Sequence, residues 1–147
     1  MQQVFVYGSL LFSEVVQALT GTSFPTQEAI LHNFKRLAVS EADYPAVFPS
    51  KGSKVKGKLL QNVDRRSLEI LKFYEGDEYE CISTAIHVKN KRTEALVFVW
   101  KGDAKLLNGN WDEKQFQETS LETYIQEIAT ETLLAFEVWQ AKTFNQA

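Results

Sequence analysis

One cysteine, Cys81, occurs in 147 residues. No internal disulfide can form, and the expectation is a reducing, cytoplasmic setting. No apolar run approaches the roughly 20 residues of a membrane-spanning helix. The chain runs straight into a strand pattern with no charged segment before it, so no secretory leader is expected. Positive charge is not in excess: a formal net charge of −3 and a pI near 5.4 argue against a partner held by phosphate attraction, nucleic acid above all. The two histidines, His32 and His87, lie far apart inside strand patterns. With no HxxxH or CxxC spacing and no legible Ser-His-Asp set, neither a metal site nor a serine nucleophile is expected, and both histidines read as structural. Acidic neighbours disfavour a thiolate at Cys81, which makes it a poor nucleophile. The GxxxxGK[ST] spacing of a phosphate loop is missing, and so are GxSxG, internal repeats and low-complexity segments.

What remains is a globular composition, 44% hydrophobic and 12% aromatic. It suits a single domain over residues 1–147 with a sizeable core. Residues 3–7, QVFVY, are apolar on both faces and predict a buried central strand. Gly8 breaks it, SLL follows, and Ser13 reads as the N-cap of a short helix with Gly21 at its C-terminal cap. A strand, a glycine turn and a helix start in succession offer backbone N–H groups to a small anion, either phosphate or carboxylate. The competing reading of Gly8 is an ordinary tight turn. Residues 27–40 predict one or two strands. Pro45 and Pro49 bracket an extended piece that proline confines to an edge or an irregular segment. Gly52 marks a turn before a strand over 55–62, whose Lys54, Lys56 and Lys58 form a solvated face. Asp64 caps a second helix, with Leu68, Leu71 and Tyr74 on its inner stripe. Residues 79–88 alternate, NKRT makes a hairpin turn, and 93–101 return as a central strand. A helical region begins at about 112, starting at Asp112 or after Ser120. Its stripe of Leu121, Tyr124, Ile125, Ile128, Thr132, Phe136 and Trp139 can serve either the core or a second copy of the chain, so a homo-oligomer through this helix is an open expectation.

The stretch FYEGDEYE, residues 73–80, carries the chemistry. Glu75 stands at a helix exit with Gly76 directly behind it. Unpaired carbonyls at the helix end disfavour a carboxylate, burial does the same, and Asp77, Glu78 and Glu80 add like charge. A carboxyl group tuned upward is what a general base near neutral pH requires. The competing reading is a solvated acidic turn.

In order along the chain, VFVYGSLL, DYPAVFPS (43–50), VKGKLL (55–60), LEILKFYEGDEYE (68–80), VFVW (97–100) and WDEKQF (111–116) resemble the gamma-glutamylcyclotransferase-like family. Within it they resemble the branch of gamma-glutamylamine cyclotransferases and their plant pathogen-induced relatives. The likeness covers roughly residues 3–125, and the order and spacing of the short motifs are its specific part. It implies an α+β fold with a mixed, strongly curved sheet or small β-barrel and flanking helices. It implies cyclotransfer on a gamma-glutamyl small molecule with no cofactor. By the same resemblance Glu75 is the proton acceptor, and Tyr7, Gly8, Ser9 and Leu10 cradle the glutamyl head. Tyr79 joins them as a candidate substrate-binding residue. The chain departs from many relatives at Lys72, where they carry aspartate, and at Cys81, where they carry arginine. Two other functions fit the same residues: a non-catalytic module sensing a small carboxylated metabolite, and a structural protein assembling through its C-terminal helix.

Overall fold

The computed structural model describes residues 1–145. Its elements are β1 (Gln2–Val6), a 3-10 turn (Ser9–Leu11), α1 (Ser13–Thr20), β2 (Thr26–Ala38), β3 (Pro45–Val63), α2 (Arg65–Glu75), β4 (Tyr79–Val88) and β5 (Lys91–Trp100). A second 3-10 turn (Ala104–Leu106), α3 (Glu113–Thr119), α4 (Leu121–Thr123), a π turn (Tyr124–Ile128) and α5 (Ala129–Asn145) follow. The strands close into a ring in the order β1-β3-β2-β4-β5. All neighbours are antiparallel except β1 and β5, which meet in parallel at Val4↔Leu96 and Phe5↔Val97. The sheet is therefore mixed and strongly curved, as the motif order implied.

Strand β1 is buried on both faces because it separates two apolar clusters. Phe5 and Tyr7 point into the ring among Leu31, Val47, Val55, Leu59, Ile86 and Val97. Val4 and Val6 point outward to the layer where α1, α2 and α5 pack. Period-two alternation in β5 does the same, with Val97 and Val99 inside and Phe98 and Trp100 outside. Each fully buried Val, Leu or Phe contributes about 1.5–3 kcal/mol, so the two-sided strands anchor the fold.

Several local expectations change in the structure. Residues 45–63 form one strand, and Gly52 sits in a bulge within it rather than in a turn between strands. Pairing runs from Thr26↔Leu60 to His32↔Lys54, then shifts to Phe34↔Pro49. The extra residues are accommodated by Asn33 at φ 66° and Gly52 at φ 85°, with the Gly52 N–H donating to Asn33 Oδ1 at 3.1 Å. Pro45 and Pro49 face β2 alone, since β1 pairs with β3 only from Lys58 to Val63, so proline does sit where one side of the strand is unpaired. Of the three lysines expected on a solvated face, Lys54 and Lys56 are exposed and Lys58, opposite Val6 of β1, is half-buried. Ser13 is not an N-cap: α1 is entered through the 3-10 turn with Phe12 at the cap position, and the Ser13 hydroxyl donates to Glu14. Asp64 does cap α2, accepting from the Ser67 N–H at 3.2 Å. The β4–β5 turn, Lys89-Asn90, takes φ 48° and 65°, the left-handed pair a two-residue hairpin requires even without Asn-Gly.

The C-terminal region uses both proposed starts. Asp112 caps α3 through the Lys114 and Gln115 N–H groups, and the axis breaks at Ser120 before α4. The π turn then shifts the buried stripe. Leu121, Tyr124 and Phe136 stay buried and Ala129 joins them, while Trp139 is 49% exposed beside exposed Leu134 and Val138. No helix among the described residues is long and apolar enough to cross a membrane.

Candidate active site

Two backbone devices set the site. Gly76 takes φ 83° and ψ −172°, a region open essentially to glycine alone. The chain therefore turns away at once, and Glu75 is left as the last residue of α2. At the other side, Gly8 leads from β1 into the 3-10 turn. A Cβ there would fall 2.8 Å from Pro45 Cδ, so only glycine lets the start of β3 lie over the turn. Arg36 of β2 donates from Nη1 to the Tyr7 carbonyl at 2.8 Å. Its guanidinium lies 5.1 Å from the centre of the Trp111 ring, and Trp111 in turn donates to the Asp43 carbonyl at 2.8 Å. Three segments far apart in sequence are thus pinned around the end of β1.

Between these elements lies a cavity of about 240 Å³. Tyr7, Gly8, Ser9, Leu10, Glu75 and Tyr79 all line it. Sequence reasoning missed Tyr44, Tyr74 and Tyr124 as cavity residues. With Tyr7 and Tyr79 they are all 5 tyrosines of the chain, and Ile128 and Thr132 complete the C-terminal wall. The only signal available was that Tyr44 and Tyr74 fall inside the quoted motifs. Arg36 carried no signal, because its role depends on the Tyr7 carbonyl, which a strand pattern does not reveal.

The phenols divide into two sets. Tyr7 donates to the Phe98 carbonyl at 2.6 Å, Tyr79 donates to the Pro45 carbonyl at 2.9 Å, and the Tyr74 and Ser9 hydroxyls share a hydrogen bond of 2.7 Å. Tyr44 and Tyr124 have no hydroxyl partner among the described residues. The N–H groups of Ser9 and Leu10 precede the first internal donor of the 3-10 turn, which is Leu11 N–H to the Gly8 carbonyl, and so have no acceptor within the turn.

Burial pushes the Glu75 carboxyl up to about 8. The direction is the one expected, and of the three expected causes burial supplies it: Asp77 and Glu80 are exposed and lie outside the lining. Among the described residues no cation or hydrogen-bond donor pairs with this carboxylate. Burial, and then the Glu75 charge, raises the Tyr7 and Tyr79 phenols, and burial above all raises Tyr74. Tyr44 is raised by burial and then by Glu78 and Glu75. All of them therefore stay neutral. Cys81 is raised chiefly by burial and does not line the cavity. The lining holds the two carboxylates Glu75 and Glu78 and no Lys, Arg or His. Among the described residues no group of three or more metal-ligating side chains occurs. The arrangement can take up and return a proton near neutral pH in a partly dry pocket, close to backbone donors for an anionic or developing negative oxygen.

The family model described as "Gamma-glutamyl cyclotransferase, AIG2-like" matches residues 4–113. The chain belongs to this gamma-glutamyl cyclotransferase, AIG2-like family. It is 33% identical to AIG2-like protein D of Arabidopsis thaliana over 129 residues, 85% of each chain. A solution structure from Arabidopsis thaliana, 27% identical, superposes with a TM-score of 0.67 over 86% of this chain and 87% of that one. An AIG2-like protein from Mus musculus, 20% identical, shares the fold with a TM-score of 0.61 over 77% and 86% of the two chains. Within this gamma-glutamyl cyclotransferase, AIG2-like chain, the matched span holds Glu75 and the Tyr7–Leu10 turn. Tyr124, Ile128 and Thr132 lie beyond it.

Proposed function

We propose that the protein is a gamma-glutamyl cyclotransferase. The alpha-amine of a gamma-glutamyl compound attacks its own gamma-carbonyl, a C–N bond closes the five-membered ring of 5-oxoproline, and the C–N bond to the departing amine or amino acid breaks. The attacking group begins as an ammonium. Glu75 takes the ammonium proton and passes it to the leaving nitrogen, and as the ring closes the attacking nitrogen gives up its second proton through the same carboxylate, so the amine departs as an ammonium and atoms and charge balance without water or an added cofactor. The observation that carries this reading is an unpaired carboxylate, held up to about 8 by burial, in one cavity with the Tyr7–Leu10 turn. A group with that proton affinity is poised to exchange protons with an amine at neutral pH. The Ser9 and Leu10 N–H groups bind the alpha-carboxylate or the developing oxyanion. The cavity holds the chain curled, and the proximity so gained supplies up to several kcal/mol of the barrier reduction.

Mass-spectrometric detection of 5-oxoproline from a panel of gamma-glutamyl amines and amino acids tests the activity. Glu75→Gln is expected to fold and to lose at least about 100-fold in rate. A folded variant that keeps most of the wild-type rate would place the base elsewhere. A wild-type protein that binds such compounds without releasing 5-oxoproline would be a sensor instead.

A further inference from the structure

Helix α5 is apolar on two sides, and the core uses only one of them. Ala129 and Phe136 are fully buried in the outer core cluster, while Leu134 is 59% and Val138 55% exposed. With Ala135, Trp139 and Lys142 they line a shallow groove along the outward side of the helix. We infer that this side is a docking surface for a second copy of the chain, the two α5 helices packing antiparallel about a two-fold axis. The inference does not depend on the cyclotransferase reading, because none of the groove residues lines the cavity that holds Glu75.

Three observations carry the inference. The first is the pattern. Glu131, Ala135, Val138 and Lys142 recur at i, i+4, i+7 and i+11 of one helix, so they form a single stripe, with Leu134 on one flank and Trp139 on the other. An apolar middle closed by a charge at each end is the layout of a helix–helix seam. The second is self-complementarity. Glu131 lies in the first turn of α5 and Lys142 in the last, and neither is in an ion pair among the described residues. Two antiparallel copies bring Glu131 of each to Lys142 of the other and oppose the two helix dipoles. A parallel pair would set Glu131 against Glu131. The third is fit. In that register Leu134 meets Val138, and Ala135 meets Trp139, of the other copy, so each larger side chain faces a smaller one. Trp139 is already braced, its ring centre 5.8 Å from those of Phe73 and Phe136, so docking costs it little side-chain freedom. The family match ends at residue 113, and the whole face lies beyond it. The stripe is about three turns long, roughly 17 Å. That is short for an obligate interface, so the dimer forms reversibly with a Kd of about 10–100 µM.

Sedimentation equilibrium of the full chain between about 1 µM and 1 mM brackets that constant and decides it. The mass is expected to rise from monomer to dimer and no further, because an isologous contact closes on itself. Val138→Glu puts two carboxylates into the seam and should leave the protein monomeric throughout. Lys142→Glu turns both ion pairs into repulsions and should weaken association by about fivefold. Adding Glu131→Lys to it rebuilds the pairs with reversed sign and should restore the wild-type constant, which a merely perturbed helix would not do. All three positions are exposed, and matching circular dichroism spectra establish that each variant folds. A wild-type chain that stays monomeric, assembly beyond the dimer, a dimer indifferent to Val138→Glu, or a double variant no tighter than Lys142→Glu overturns the docking surface.

Discussion

Glu75 ionises at a cost to the fold. Its folded-state proton affinity, up to about 8, exceeds that of an unfolded glutamic acid near 4.3. The folded protein therefore binds this proton more tightly than the unfolded chain does. The resulting loss of stability begins as pH rises past the unfolded value and is complete above the folded one. Glu75→Gln should be more stable than wild type by on the order of 1–3 kcal/mol at pH 9 and nearly equal to it at pH 4, as read from melting curves at the two pH values. A glutamine variant that is less stable at pH 9 would reveal a cation or donor satisfying the carboxylate, and the base assignment would lose its physical ground. At this scale the sequence showed where Glu75 stands and which way its acidity moves, because a helix exit followed by glycine is a local pattern. Of the causes it offered, burial supplies the shift, while the neighbouring Asp77 and Glu80 face solvent.

Helix α2 owes its function to its last turn. Asp64 starts it, and Gly76 ends it in a backbone conformation closed to other residues. Gly76→Ala should cost about 1–3 kcal/mol through strain alone, since no neighbouring atom lies within 4 Å of a Cβ built there. Denaturant midpoints would measure that cost, and 5-oxoproline release should fall with it as Glu75 shifts. A variant of unchanged stability would mean that the turn relaxes freely and does not fix Glu75. Caps of this kind were legible because their partners are three residues away, as with Asp64 and Ser67. Gly52 was misread because the partner that makes it a bulge, Asn33, belongs to another strand. The π turn was invisible for a similar reason: no local propensity encodes it, and the helical stripe it leaves buries Ala129 while Trp139 stays half exposed with its ring against Phe73 and Phe136.

The ring as a whole is unevenly sewn. β2 and β3 pair along most of their length, and β4 and β5 pair over ten positions. β2 and β4 meet in register only at Ile30↔His87. Local opening should start there, so amides flanking Ile30 and His87 on that seam should exchange with solvent faster than those between β4 and β5. Equal protection at both seams would show that side-chain packing, not backbone pairing, holds the ring shut. Closure itself was not legible from strand patterns, because it depends on the parallel contact of β1 with β5, and only the order of motifs implied it. One property of the finished molecule has a practical use. Every tyrosine lines the cavity that holds Glu75, and Trp100, Trp111 and Trp139 do not. The near-ultraviolet absorbance of tyrosine is therefore a built-in optical gauge of occupancy. A ligand entering the cavity should perturb the tyrosine bands in a difference spectrum, and titrating that signal gives a dissociation constant without any label. A spectrum that stays silent while calorimetry reports binding would locate the ligand on some other surface.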